Sequence, residues 1–283
     1  MKNQISCPVH AVRFCNGRTF VPPCAAGGAF FIFFGKNVFF LDIGNMLSIM
    51  YSAKKQCMRR AHTAPWERGR NDLFMKKRVA VVGYGGMGQW HVCSIMGRTY
   101  MNSIPFNESD VCEMAGIYDI DPAKRDKARA DGLHVYETLE ELLADPTVDI
   151  VTIATPNDFH EPIAIKALDA GKNVISEKPV TMSLASLDRM IAASEKNHKL
   201  FSVHQNRRLD DYFVEMKKIA DEGLIGDIIS LESRIHGDHG IPGDWRKTVE
   251  HGGGMLYDWG VHMIDQQLYM LGYDVERVYA HFD

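Results

Sequence analysis

The sequence is short of several things, and each shortage excludes a class of protein. It has six cysteines in 283 residues and no C-x-x-C pair. Four of the six, Cys7, Cys15, Cys24 and Cys57, precede Val79, so the rest of the chain holds only Cys93 and Cys112. That usage excludes a disulfide-framed scaffold and fits a reduced, cytoplasmic setting. Positive charge is also lacking. The net charge is -4, which offers no basic field to nucleic acid. No long apolar run is free of charge either. The apolar stretch between Ala25 and Met50 contains Lys36 and Asp42, each of which would cost about 2.5–3.5 kcal/mol near the centre of a membrane helix. Neither a repeat of 2 nor one of 3.6 runs through residues 1–75. They read as an irregular N-terminal extension, with natural initiation expected near Met75.

What is present begins at Lys77. Val79–Val82 is an apolar run too short for a helix and suited to a buried parallel strand. Gly83, Tyr84, Gly85, Gly86, Met87 and Gly88 follow at once, in the G-x-G-x-x-G spacing. Gly83 would permit a tight turn, Gly85 would let backbone approach a pyrophosphate, and Gly88 would let a helix pack on the strand. The N–H groups of the following helix, expected to continue from Gln89 to Arg98, would then face phosphate. Val111–Tyr118 reads as a second strand. It leads to Asp119, placed to accept hydrogen bonds from a ribose and to repel a 2′-phosphate, so NAD is expected, with NADP the alternative. Asp121 before Pro122 reads as a helix cap.

Further on, Thr138–Glu141 has the form of a capping box. Val148–Ala154 is a buried strand that delivers Thr155, Pro156 and Asn157, with His160 close behind, to the carboxyl edge where ligands bind. Pro162 and Gly171 bracket a helix. Asn173–Ser176 is another strand, and it delivers Glu177, Lys178 and Pro179 to the same edge. Strand and helix alternate, which implies a doubly wound parallel sheet.

A second signal is the glycine-rich run Gly252–Gly254 leading to Asp258, His262 and Asp265. On a helix these three acidic and imidazole side chains share a face, and the carboxylate four residues before His262, that of Asp258, can orient it and raise its basicity. A histidine is suited to taking a hydroxyl proton while hydride leaves the same carbon. Read by itself, the stretch Asn206, Arg207 and Arg208 is a solvated basic turn. Trp245 could stack on a sugar face or sit in a core. His236, His239, His251, Asp258 and His262 match no zinc spacing, so no metal site is expected.

Together these residues resemble the Gfo/Idh/MocA family, the glucose–fructose oxidoreductase and inositol dehydrogenase group. The resemblance rests on the Gly83-x-Gly85-x-x-Gly88 turn, Asp119, Thr155-Pro156-Asn157 with His160, Glu177-Lys178-Pro179, and Asp258-x-x-x-His262. It covers residues 76–283. It implies an NAD-binding Rossmann domain at 76–179 and, at 180–283, part of an α/β domain with a mostly antiparallel open sheet. That sheet would be built here from Asp227–His236 and Val275–His281 alone, as in a chain truncated at its C-terminus. The resemblance also implies oxidation or reduction of a secondary hydroxyl on a sugar, cyclitol or polyol. Lys178, Asp258 and His262 would be catalytic. Gly83, Gly85, Gly86, Met87, Gly88, Asp119, Thr155, Pro156, Asn157, His160, Glu177, Lys178 and Asn206 would contact the cofactor, and Arg207 and Trp245 the substrate. Family members are expected to be homo-oligomers. Two other activities share the fold: an NAD-binding sensor without turnover, and a glycosidase using bound NAD transiently.

Overall fold

The computed structural model describes residues 11–13, 75–236 and 243–280. The remainder of the N-terminal extension, together with His239 and His281, lies outside the described residues. In chain order the elements are β1 (Ala11–Arg13), β2 (Lys77–Val82), α1 (Gly86–Met96), β3 (Cys112–Tyr118), α2 (Pro122–Ala130), α3 (Leu139–Ala144), β4 (Ile150–Ile153), α4 (His160–Asp169), β5 (Asn173–Ser176), α5 (Leu184–Lys196), β6 (Phe201–Val203), α6 (Asp211–Asp221), β7 (Glu232–Arg234) and α7 (Val261–Leu271). The chain divides into two compact units: Ser52–His204 with Glu250–Gly252, and Met1–Tyr51 with Gln205–Val249 and Gly253–Asp283.

The first unit carries a five-stranded sheet in the order β3-β2-β4-β5-β6, with every neighbouring pair parallel. Relative to its first strand, β2, the order reverses between β2 and β4. In open α/β sheets a ligand crevice forms at such a reversal, outside the carboxyl ends of the strands. The apolar run predicted as a strand lies inside this sheet, between β3 and β4: Val79, Ala80, Val81 and Val82 are 0–3% exposed. Ile117, Val151, Ile153 and Val174 from the neighbouring strands are equally buried, and Ala164, Leu168, Leu187 and Met190 from α4 and α5 are as well. Strands buried on both faces read as continuous apolar runs, which is why they were visible in the sequence.

Local signals set the helix ends. Asp121 Oδ1 accepts from the N–H of Ala123 at 2.9 Å, with Pro122 opening α2. Thr138 Oγ1 accepts from Glu141 N–H at 3.1 Å, while Glu141 Oε2 accepts from Glu137 N–H at 2.8 Å. The second half of this capping box thus reaches one residue further back than the usual pattern. Helix α1 stops at Met96, two residues earlier than expected, because Gly97 takes φ +64° and turns the chain. The parallel sheet also takes in β6, so the first unit runs past Pro179 to His204.

The second unit departs further from expectation. Of Asp227–His236 only Glu232–Arg234 is a strand, and residues 275–280 form none. Instead β7 pairs antiparallel with β1 from the N-terminal stretch, Val12 opposite Ser233. Part of the stretch that reads as irregular is therefore a strand. Three residues are too few for a 2-residue period to show. The core of this unit is Val261, Ile264 and Leu268 of α7, joined by Leu256, Tyr257, Tyr273, Val275 and Val278. The last two positions, expected in a sheet, are instead half-buried apolar contacts.

Candidate functional site

In the first unit, backbone hydrogen bonds carry the ladder one residue past β2, β4, β5 and β6. Gly83 N–H donates to Tyr118 O, Ala154 N–H to Val82 O, Glu177 N–H to Ile153 O and His204 N–H to Ser176 O, at 2.8–2.9 Å. One edge of the sheet therefore presents the glycine turn, Asp119, Thr155, Glu177-Lys178 and His204.

The glycines of the turn differ in what demands them. Gly83 has φ +95°, and a Cβ there would lie 2.6 Å from Ala154 O; one at Gly88 would lie 1.9 Å from Gly83 O. The chain's own backbone excludes side chains at both. At Gly85 a Cβ would meet nothing within 4 Å. The protein has no need of glycine there, whereas a pyrophosphate approaching the backbone has. No side chain caps α1, so the N–H groups of Gly86, Met87 and Gly88 begin a helix with partial positive charge toward that space.

Asp119 is 5% exposed. Its Oδ2 accepts from Tyr84 N–H at 2.6 Å and its Oδ1 from Asp121 N–H at 2.9 Å, so it braces the glycine turn from outside. Lys124 Nζ stands 3.8 Å from Oδ2. Each carboxylate oxygen keeps a second lone pair for a further donor.

Several predicted cofactor residues prove to hold loops. His160 is fully buried, with Nδ1 2.9 Å from Pro179 O and Nε2 3.0 Å from Thr155 O. Burial pushes its imidazole down in pKa over the opposing pull of those carbonyls. It ties the Thr155 loop to the Lys178 loop and presents no ring nitrogen outward. Asn157, 4% exposed, donates to Gly252 O at 2.9 Å, and His251 Nδ1 lies 3.0 Å from Asp158 Oδ2. Glu177 is 4% exposed and turned inward. Its Oε1 meets His91 Nε2 at 2.8 Å and His204 Nδ1 at 2.9 Å, and its Oε2 accepts from Lys178 N–H at 3.2 Å. Burial would raise this carboxyl; hydrogen bonds from His204 and His91 outweigh it and hold the group well below the usual range. Lys178 itself is half-buried at the edge, joined to Pro179 by a cis peptide bond.

In the second unit, residues 256–260 form a π-helical turn that runs into α7. Such turns recur where a helix places functional side chains. Asp258 sits in it and His262, 6% exposed, just after it. The Asp265 carboxylate accepts from both arms of the Arg208 guanidinium, at 2.6 Å from Nε and in a second, shorter bond from Nη2. Arg208 is thus no solvated turn residue. Arg207 stacks on Trp259 at 4.4 Å, and its carbonyl accepts from Gln266 Nε2 at 2.7 Å. A pocket in this unit is lined by Arg207, Tyr212, Trp259, His262 and Gln266, among others. Asn206 opens the short turn that carries Arg207, but neither it, Trp245 nor Asp258 lines the pocket. Sequence reading missed Arg246, whose Nε lies 3.5 Å from Asp258 Oδ1 and whose guanidinium stacks 4.5 Å over Trp245. An arginine twelve residues from an aspartate carries no signal of contact.

Among the described residues no helix is long and apolar enough to cross a membrane. Residues 77–205 match the Gfo/Idh/MocA oxidoreductase family with its NAD-binding Rossmann fold, and residues 213–283 match the Gfo/Idh/MocA C-terminal domain. An NAD-binding protein from Listeria innocua is similar in structure, with a TM-score of 0.64 and 45% identity over 70% of this chain and 56% of that one. The scyllo-inositol 2-dehydrogenase (NADP(+)) of Bacillus subtilis is 34% identical over 53% of this chain and 41% of its own length. The myo-inositol 2-dehydrogenase of Thermotoga maritima is 29% identical over 72% of this chain and 57% of its own. The chain spans about half the length of the curated relatives it matches. With both family domains matched in order and a parallel sheet to carry the first, the chain belongs to the Gfo/Idh/MocA oxidoreductases, its NAD-binding Rossmann fold at residues 77–205.

Proposed function

We propose that this chain serves a dehydrogenase that moves a hydride between NAD and a secondary hydroxyl of a cyclitol, sugar or related polyol. One observation carries the cofactor half of the reading. The Gly85 position is open where the chain has no need of openness, at an uncapped helix start beside Asp119. The Asp119 carboxylate favours ribose hydroxyls over a 2′-phosphate, which is the reason to name NAD first. The inositol dehydrogenases among the relatives support the substrate class.

In this reading Gly85, the start of α1 and Asp119 would hold NAD, which would supply a hydride acceptor for the carbon bearing the hydroxyl. Lys178 donates a hydrogen bond to the reacting oxygen and stabilises the charge that develops on it. His262 accepts the hydroxyl proton, and Asp258 steadies the imidazolium that results. Arg207, which shares a cavity with His262, offers hydrogen bonds to further hydroxyls. The test is a panel of inositols and sugars assayed for NADH formation, with Lys178→Ala and His262→Ala beside the parent chain. Turnover that both variants abolish, with NADH binding retained, supports the reading. NADH binding without turnover on any polyol favours a sensor instead.

A further inference from the structure

Among the described residues, one group of three metal-ligating side chains converges: His91, Glu177 and His204, whose ligand atoms all lie within 4.8 Å of one another. None of the histidines weighed as zinc ligands in the sequence belongs to it. We propose that these three residues form a binding site for a divalent transition metal of the zinc class, ligated by His91 Nε2, Glu177 Oε1 and His204 Nδ1.

The donor set is two imidazoles and one carboxylate, the composition zinc takes with a fourth position left to water. The supports are rigid. Glu177 and His204 follow adjacent parallel strands, β5 and β6, that end in register with Ser176 opposite Val203. His91 projects from the first helix of the unit, α1. Zinc–ligand bonds of about 2.05 Å at a tetrahedral angle separate two ligand atoms by about 3.3 Å. The present separations of 2.8 and 2.9 Å from Glu177 Oε1 require the carboxylate to withdraw by about half an ångström. The end of a glutamate side chain can make that movement. Each imidazole would coordinate as the neutral ring, its proton on the other nitrogen.

Charge argues in the same direction. Glu177 is 4% exposed, and its ion-pair partners among the described residues are these two histidines, with no ammonium or guanidinium among them. A buried carboxylate is costly unless a cation meets it, and a metal ion would supply that cation. The surroundings are those of a built site. Glu177 Oε2 is held by Lys178 N–H at 3.2 Å, which orients the carboxylate. The indole of Trp90 packs against both imidazoles at 5.3 and 5.4 Å, and Phe106 packs on Trp90 at 5.2 Å. The His204 side chain is 23% exposed against 9% for His91, so the open position and the entry path lie on the His204 side. A metal here would bind α1 to the strand ends that carry Lys178, independently of which polyol is oxidised.

The experiment is titration of the full chain, stripped with chelator, with Zn2+ by calorimetry and with Co2+ by visible absorption. The expected result is one ion per chain and the intense ligand-field band of low-coordinate Co2+. His204→Ala and Glu177→Gln should each weaken binding at least tenfold, while the exposed His198→Ala leaves it unchanged. His204 is the safer variant because its side chain is partly exposed. A thermal melt of each variant shows whether it folds. Absence of stoichiometric binding by the parent chain, or binding that survives both folded variants, overturns the proposal. An NADH titration on the same preparation separates the two readings. NADH binding without metal binding refutes the metal site alone, and metal binding without NADH binding refutes the dehydrogenase reading alone.

Discussion

Arg208 and Asp265, fifty-seven residues apart, close on each other as a forked ion pair, with the Asp265 side chain only 3% exposed and Arg208 lying 4.9 Å over the Tyr269 ring. The pair fixes the short turn after β6 to the first turns of α7. Removing one partner leaves a buried charge uncompensated. Asp265→Asn should destabilise the second unit by about 3 kcal/mol, near the low end of the range for buried pairs because Arg208 keeps a third of its side chain exposed. Replacing both partners with apolar residues should cost less than either single change. Urea unfolding of the single and double variants measures this.

The glycine turn supplies a contrast within five residues. Gly85→Ala meets nothing within 4 Å and should leave the melting temperature close to that of the parent. It should weaken NADH binding tenfold or more, about 1.4 kcal/mol, by blocking close approach to the backbone. Gly88→Ala would place a Cβ 1.9 Å from Gly83 O and should destabilise the fold itself. Melting curves and NADH titrations of the two variants check the distinction.

Asp119 holds the turn and faces the cofactor side, so its replacement has two effects. Asp119→Ser removes the acceptor for Tyr84 N–H and should cost about 1–2 kcal/mol of stability. It should also shift preference toward NADPH, since the repelling carboxylate is gone. The ratio of the two dissociation constants, before and after substitution, is the readout.

Asp145 gives the first unit an acid-sensitive point. Tyr136 O–H donates to its Oδ2 at 2.6 Å, and Thr147 N–H and hydroxyl donate to its Oδ1 at 2.8 and 2.7 Å. These bonds, the tyrosine's first, lower its pKa from 3.8 to about 2. A carboxyl depressed by folding contributes stability that is full above the unfolded value and lost as pH falls through the folded one. Stability should therefore decline between about pH 4 and pH 2, and Asp145→Asn should flatten that part of the profile. Denaturant unfolding across this range tests it.

Much of the first unit was legible because its signals are local. The glycine turn, the Asp121 cap and the Thr138–Glu141 box each lie within a few residues, where spacing decides geometry. The partners of Glu177 were not legible. His91 and His204 stand 86 and 27 residues away and meet it only through strand order and register. The same holds for Arg208 and Asp265, and for β1, which finds β7 across the whole first unit. The hydrogen-bond partners of His160 and Asn157 were not legible either. Sequence placed them at the ligand edge, and burial turned them to the loops that shape it.

The most direct test of the central claim is a fluorescence titration of the intact chain with NADH and, in parallel, NADPH. NADH should bind saturably, NADPH more weakly, and Gly85→Ala should lose affinity without losing the fold. Equal or stronger binding of NADPH would contradict the role given to Asp119. Failure of a folded chain to bind either nucleotide would contradict the reading of the glycine turn as a cofactor site.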